Sequence, residues 1–223
     1  MLSGRSKWRK YTGSGGSVDD SHDVEARLAK LKRVITSTHS RVHRDLPGHS
    51  HFHRIFHGTR LDRRDLGIDC DEVYPNLFIG DEGSARNKSY LKLIGITHVV
   101  NTAEGSHFSQ IDTGAHYYSD VHIKYMGLNL LDIESTKISI HFGETAEFID
   151  RALLTGGRVL IHCYMGLSRS STIALAYLMI KKGMTAEEAL RTARQSRSIR
   201  PNDGFLRQLI DLEFRIRTAG GFR

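Results

Sequence analysis

Apolar residues recur along this chain in two periods, and the switches between them mark out its elements. Val24, Leu28, Leu31 and Ile35 fall at helical spacing and predict a short amphipathic helix over 24–35, with Asp23 as its N-cap. Such a stripe packs on its own domain more often than on a partner. Before it, residues 1–22 are polar and Gly/Ser-rich and read as disordered. After it, residues 36–66 are rich in His and Arg and show little pattern. Regular patterning begins near Gly67.

From there short apolar runs alternate with helical stretches. Val73 to Gly80 reads as two strand pieces turning at Pro75-Asn76. Ser84 to Leu93 reads as a helix stopped at Gly95, and Thr97 to Asn101 as a short buried strand. Val121 to Leu130 alternates as a strand does, and Phe142 to Leu154 is a helix halted at Gly156-Gly157. The apolar run Arg158 to His162 leads into Cys163. Ser170 to Lys182 is then a helix with Ile173, Ala176, Tyr177 and Ile180 on one side, closed by Gly183. Thr185 with Glu188 three residues on is a capping box. A last helix begins at Asn202-Asp203 and carries Phe205, Leu206, Leu209, Ile210 and Phe214. Strands alternating with helices predict one α/β domain, a mostly parallel twisted sheet flanked by helices.

Composition changes this picture in three ways. No apolar run approaches the roughly 18–20 residues that span a bilayer, and no apolar stretch follows the basic start, so neither membrane insertion nor a secretory signal is expected. Leu2 excludes the Met-Gly start of a myristoylation site. Cys70 and Cys163 are the only two cysteines; they suggest no disulfide framework and point to a reducing compartment, cytoplasm and/or nucleus. The net charge of +7 is uneven: residues 1–66 hold 14 Lys+Arg against 7 Asp+Glu, which leaves 18 of each for the rest. The basic character belongs to the N-terminal part, where it reads as a solvated extension or an attractor of acidic partners. Any anion binding by the main domain must therefore be local.

One local feature meets that requirement. His162-Cys163-Tyr164-Met165-Gly166-Leu167-Ser168-Arg169-Ser170 places a cysteine at the end of a buried strand, then a short loop, then a helix start. Successive backbone N–H groups and the positive end of a helix dipole converge on one point, which suits a tetrahedral dianion such as phosphate. The same field favours the thiolate, the nucleophilic form of cysteine. Arg169 supplies a rigid fork for two phosphoryl oxygens, which Lys could not reproduce. A cysteine ending a strand is usually only a small buried side chain; here Gly166, Arg169 and Ser170 all fall where an anion loop needs them.

Cys-x5-Arg followed by Ser and preceded by His is the signature of cysteine-based phosphatases. The wider chain, from about Cys70 to Arg217, resembles the small atypical dual-specificity protein phosphatases through VYPNLFIGD (73–81), GITHVVNTAEG (95–105), the 158–178 stretch and PNDGFLRQL (201–209). The resemblance covers roughly two-thirds of the chain. It implies a catalytic domain over 67–217, between a basic, largely flexible extension (1–66) and a tail (218–223). It also implies that Cys163 forms a phosphocysteine intermediate and that the Tyr164, Met165, Gly166, Leu167, Ser168 loop and Arg169 bind the phosphoryl group. Asp132 matches the general acid, Ser170 the hydroxyl that eases thiolate departure, and Arg197 a position that in some relatives contacts a second phosphate or an acidic substrate residue. No cofactor or metal is implied.

Taken alone, Asp132 is a turn residue, Ser170 a helix-start residue and Arg197 a surface arginine. His49, His51, His53 and His57 cluster, but no nearby cysteine or carboxylate completes a metal site. His162 and Cys163 are adjacent on a strand and point to opposite faces, so they would not share a metal. The absence of a Walker-type loop argues against nucleoside triphosphate chemistry. Tyr164, Met165 and Leu167 stand where phosphoinositide phosphatases tend to carry lysines, and Ser-Ser follows Arg169 where RNA-end phosphatases carry Thr-Gly. The expected substrates are thus phosphoproteins bearing phosphotyrosine and phosphoserine or phosphothreonine, mitogen-activated protein kinases among them, and not nucleic acid. The string Lys30-Leu31-Lys32-Arg33-Val34-Ile35 offers a kinase docking segment. Two readings stand beside this one: a phosphoprotein-binding module with little turnover, and a phosphatase for a non-protein phosphate ester. The sequence carries no reading of oligomeric state.

Overall fold

A computed structural model describes residues 18–38 and 68–220. The Gly/Ser-rich start, the 39–67 stretch with the His49, His51, His53 and His57 cluster, and residues 221–223 lie outside the described residues, and so do the expectations that rest on them. Helix α1 (Val18–Ser37) begins before the expected cap, so Asp23 lies within it.

The mixed sheet then opens with β1 (Cys70–Tyr74) and β2 (Leu77–Gly80), an antiparallel pair turning at Pro75-Asn76, where Asn76 takes φ +62°. Helices α2 (Glu82–Arg86) and α3 (Lys88–Leu93) follow, then β3 (His98–Asn101) and β4 (Lys124–Gly127). Helix α4 (Phe142–Leu154), β5 (Val159–His162), α5 (Arg169–Lys182), α6 (Ala186–Arg194) and α7 (Asp203–Thr218) complete the order. The strand order is β1-β2-β5-β3-β4, with every pairing after the first parallel. Strands β2, β4 and β5 each lead into helices, while β3 reaches its parallel neighbour β4 through a loop and a 3₁₀ turn. Strand β5 sits at the centre, fully buried, with Gly80 of β2 and Asn101 of β3 level with its last residue, His162.

Period-two alternation sorts the strand residues between two cores. Leu77, Ile79, Val100, Val159 and Ile161 join the larger core with α1 and α4 to α7, while Phe78, Val99 and Leu160 join a smaller one with Tyr90, Leu91 and Tyr118. Leu28, Leu31, Val34 and Ile35 of α1 are buried in the larger core, against α6 and α7. Arg194, itself buried, fastens the end of that helix: its guanidinium donates to the carbonyls of Ile35 (2.7 Å) and Thr38, and to Thr38 Oγ1 (2.6 Å).

Several expectations need correction. The packed unit takes in α1, so a catalytic domain beginning at residue 67 omits part of its own core. The docking string within α1 is engaged at home: Leu31, Val34 and Ile35 face the core, and Lys30 and Lys32 pair with Glu187 and Asp203. The helix expected over Ser84–Leu93 breaks at Asn87, whose side chain accepts from Tyr90 N–H and caps a second helix. The strand expected over Val121–Leu130 shrinks to β4 behind a 3₁₀ turn (Ala115–Val121). Helix α5, expected to be one-sided, is buried all round from Arg169 to Met179 because the sheet and three helices enclose it.

Candidate active site

The loop from Cys163 to Ser168 lies beyond the carboxyl end of the central strand, where open α/β sheets bind their ligands. Its entry is fixed by Thr102, whose backbone N–H and hydroxyl both donate to the His162 carbonyl (2.9 and 2.8 Å). Glu82 N–H holds the Tyr164 carbonyl at 3.1 Å. Gly166 adopts φ +64°, and a Cβ there would stand 2.5 Å from the Gly80 carbonyl oxygen, so the loop passes too close to β2 for any other residue.

Cys163 is 1% exposed. Its Sγ accepts from Gly166 N–H at 3.2 Å and lies 3.3 Å from Ser170 Oγ. The loop carbonyls turn outward onto the scaffold: Met165 and Gly166 accept from Arg197, and Leu167 accepts from Arg200 N–H. With the carbonyls facing away, the N–H groups of Met165, Leu167 and Ser168 find no acceptor among the described residues and form an anion-binding nest. Arg169 is 2% exposed; its Nη1 donates to the Leu130 carbonyl at 3.0 Å, while Nε is buried without a hydrogen bond. A buried guanidinium N–H is rarely left unpaired, and this one can donate to an anion held in the loop.

Asp132 closes the other side. Its Oδ1 accepts from Ser168 Oγ (2.7 Å) and Asn202 Nδ2 (2.9 Å), and its Oδ2 stands 3.6 Å from Arg169 Nε. The carboxylate that sequence resemblance singles out is thus brought 31 residues back along the chain to the mouth of the loop. His162, on the opposite face from Cys163, is fully buried; burial above all, then the charges of Arg86 and Arg169, depress its pKa to about 3, so it is neutral.

Arg197 does not face substrate as expected. It is 3% exposed and grips Asp69 and Asp71 at 2.7–2.8 Å while donating to the Gly166 and Met165 carbonyls. Burial opposes its charge, but the two aspartates more than offset this and hold its pKa above the ordinary arginine value. It braces the loop from beneath. Asn202 was legible only as the cap of α7, a role it fills by accepting from Phe205 N–H; its second contact, to Asp132, left no sequence signal. Thr102, Asp69 and Asp71 were likewise missed, because their partners lie 60 to 128 residues away.

Comparison with known proteins agrees with this geometry. Residues 77–215 match the family model for the dual specificity phosphatase catalytic domain. Human dual specificity protein phosphatase 13B is 48% identical over 154 residues, 68% of this chain and 77% of the relative. The mouse protein is 47% identical over 152 residues, covering 68% and 76%. The crystal structure of human DUSP28 superposes with a TM-score of 0.58 at 25% identity, over 66% of this chain and 95% of that one. That of human tyrosine phosphatase-like serine/threonine/tyrosine-interacting protein gives 0.55 at 31% identity, over 66% and 97%. With a strand-end cysteine, an outward-turned loop and a buried arginine in place, the chain belongs to the dual specificity phosphatase family and is a protein phosphatase.

Proposed function

We propose that Cys163, Arg169, Asp132 and Ser170 divide the two steps of phosphoprotein hydrolysis among them. Cys163 Sγ attacks phosphorus; an S–P bond forms as the P–O bond to the substrate breaks, and Asp132 passes a proton to the departing oxygen. The loop N–H groups and Arg169 stabilise the charge gathered on the phosphoryl oxygens. Water then attacks phosphorus, Asp132 takes its proton, and the S–P bond breaks while the Ser170 hydroxyl donates to the leaving thiolate. The observation that carries this reading is the placement of Cys163 Sγ, 3.2 Å from Gly166 N and 3.3 Å from Ser170 Oγ.

Phosphotyrosine and phosphoserine or phosphothreonine in proteins are the substrates this loop suits, since Tyr164, Met165 and Leu167 offer no cation for the extra phosphates of a lipid headgroup. We extend the class to doubly phosphorylated mitogen-activated protein kinases. The α1 string would not serve as their docking segment, because its apolar members are buried. A cytoplasmic or nuclear setting fits a chain of only two cysteines whose nucleophile, Cys163, must stay reduced to act. The test is kcat/KM across phosphotyrosyl, phosphothreonyl, doubly phosphorylated, lipid and RNA substrates, alongside Cys163→Ser. Protein phosphates should lead and the variant should be inactive on all of them; an active Cys163→Ser enzyme would overturn the mechanism.

A further inference from the structure

Among the described residues, Phe108 is the most exposed large apolar side chain at 92%, and it stands beside the active site. Its ring centroid lies 6.4 Å from that of Tyr164, the residue after the nucleophile. Tyr164 and Met165 are themselves 40% and 61% exposed, so the three side chains form one apolar ledge continuous with the phosphate loop.

The segment that carries Phe108 is tied down. Glu104 N–H donates to Leu128 O (2.9 Å), Ile111 N–H to Ala103 O (2.7 Å), and Gly105 N–H to Ile111 O (3.2 Å). Within it Gln110, 8% exposed, accepts from His107 N–H (3.0 Å) and donates to Asn129 (2.7 Å). A loop already held in place spends little further backbone entropy when its phenyl ring is covered. No Lys or Arg lies in the 104–111 segment, and the carboxylate of Glu104 already accepts from Tyr125 OH. The segment thus carries no lysine or arginine to attract an acidic flank.

We infer that the Phe108–Tyr164 ledge selects phosphopeptides with a large apolar side chain within two positions of the phosphorylated residue. This rests on the phosphatase reading above and refines its substrate class. The phosphoryl group is fixed by the loop, and consecutive Cα atoms are about 3.8 Å apart, so the neighbours of the phosphorylated residue cross the rim where the ledge stands. Aromatic anchors at such a rim carry a large share of peptide affinity.

The experiment uses the full chain and two phosphotyrosyl peptides that differ only in Leu or Asp beside the phosphotyrosine, with para-nitrophenyl phosphate as a substrate that touches the loop alone. Wild type should favour the Leu peptide by about tenfold in kcat/KM. Phe108→Ala should reduce that preference to about threefold or less, leaving para-nitrophenyl phosphate turnover within about twofold. Phe108 is on the surface, so this variant folds. An equal preference in wild type and variant, or none in wild type, overturns the inference while phosphatase activity stands. Equilibrium binding of the same peptides to Cys163→Ser separates the two claims: a Leu preference there without turnover in wild type would keep the ledge and sink the enzyme reading. If Phe108→Asp instead only abolishes a concentration-dependent dimer, the ledge is a self-association surface and the inference falls.

Discussion

Arg169 and Arg197 are both nearly sealed from solvent, at 2% and 3% exposure, and both serve the same loop. Their hydrogen-bonding capacity is used in opposite ways. Arg197 has its guanidinium on two carboxylates and two loop carbonyls. Arg169 has one bond to a carbonyl, a 3.6 Å approach to Asp132 and a buried Nε without a hydrogen bond. The saturated arginine holds the loop carbonyls; the unsaturated one keeps a donor that the proposed mechanism uses for substrate. A buried polar group without a partner is costly, so it persists where function needs it.

Exchanging the arginines' roles is the strongest way to break this comparison. Arg169→Lys should lower kcat/KM by about 10²–10³-fold, because an ammonium cannot span two phosphoryl oxygens. Its unfolding midpoint in urea should stay near that of wild type, and a near-normal rate would refute the two-oxygen grip. Arg197→Met should do the reverse in kind, lowering stability by about 3 kcal/mol. That is the lower end for a broken buried ion pair, since Asp69 is well exposed and only Asp71 is left buried. Urea unfolding measures it; an unchanged midpoint would show that the brace contributes nothing.

Two smaller effects sharpen the comparison. His162, behind the nucleophile, has a folded pKa depressed to about 3. Below pH ~6.5 the unfolded chain binds a proton at this residue and the folded chain does not. Stability should therefore fall as pH drops from about 6.5 toward 3, by up to about 1.4 kcal/mol per pH unit. His162→Gln should flatten that slope in chemical denaturation across the window; an equally steep slope would place the titration elsewhere. Asn202→Ser keeps a cap for α7 but removes the donor to Asp132, a loss of about 1 kcal/mol if that bond is of ordinary strength. Turnover should fall about fivefold with poor leaving groups and hardly at all with good ones. Equal losses with both would make Asn202 structural only.

The legible parts of this protein are those written in neighbouring residues. Helix Phe142–Leu154 lies where its periodicity and terminal glycines put it, and Thr185 and Glu188 form the expected capping box. Strand, cysteine, loop and helix follow one another over a dozen residues, so the strand–loop–helix turn could be read from spacing alone. In each case backbone periodicity and short-range hydrogen bonds decide the outcome, and both are properties of a few consecutive residues.

Tertiary structure decided what depends on distant partners. That Arg197 turns beneath the loop follows from Asp69 and Asp71, more than 120 residues away. That α1 is core follows from α6 and α7 closing over its apolar stripe. Asp132 reaches Asn202 across 70 residues, and Phe108 reaches Tyr164 across 56. A side chain's chemistry is set by its type, but whether that chemistry is neutralised or left open depends on which groups the fold brings against it. Sequence determined that Cys163 and Arg169 bracket one strand–loop–helix turn; the fold determined which arginine is saturated by carboxylates and carbonyls and which keeps an unpaired N–H.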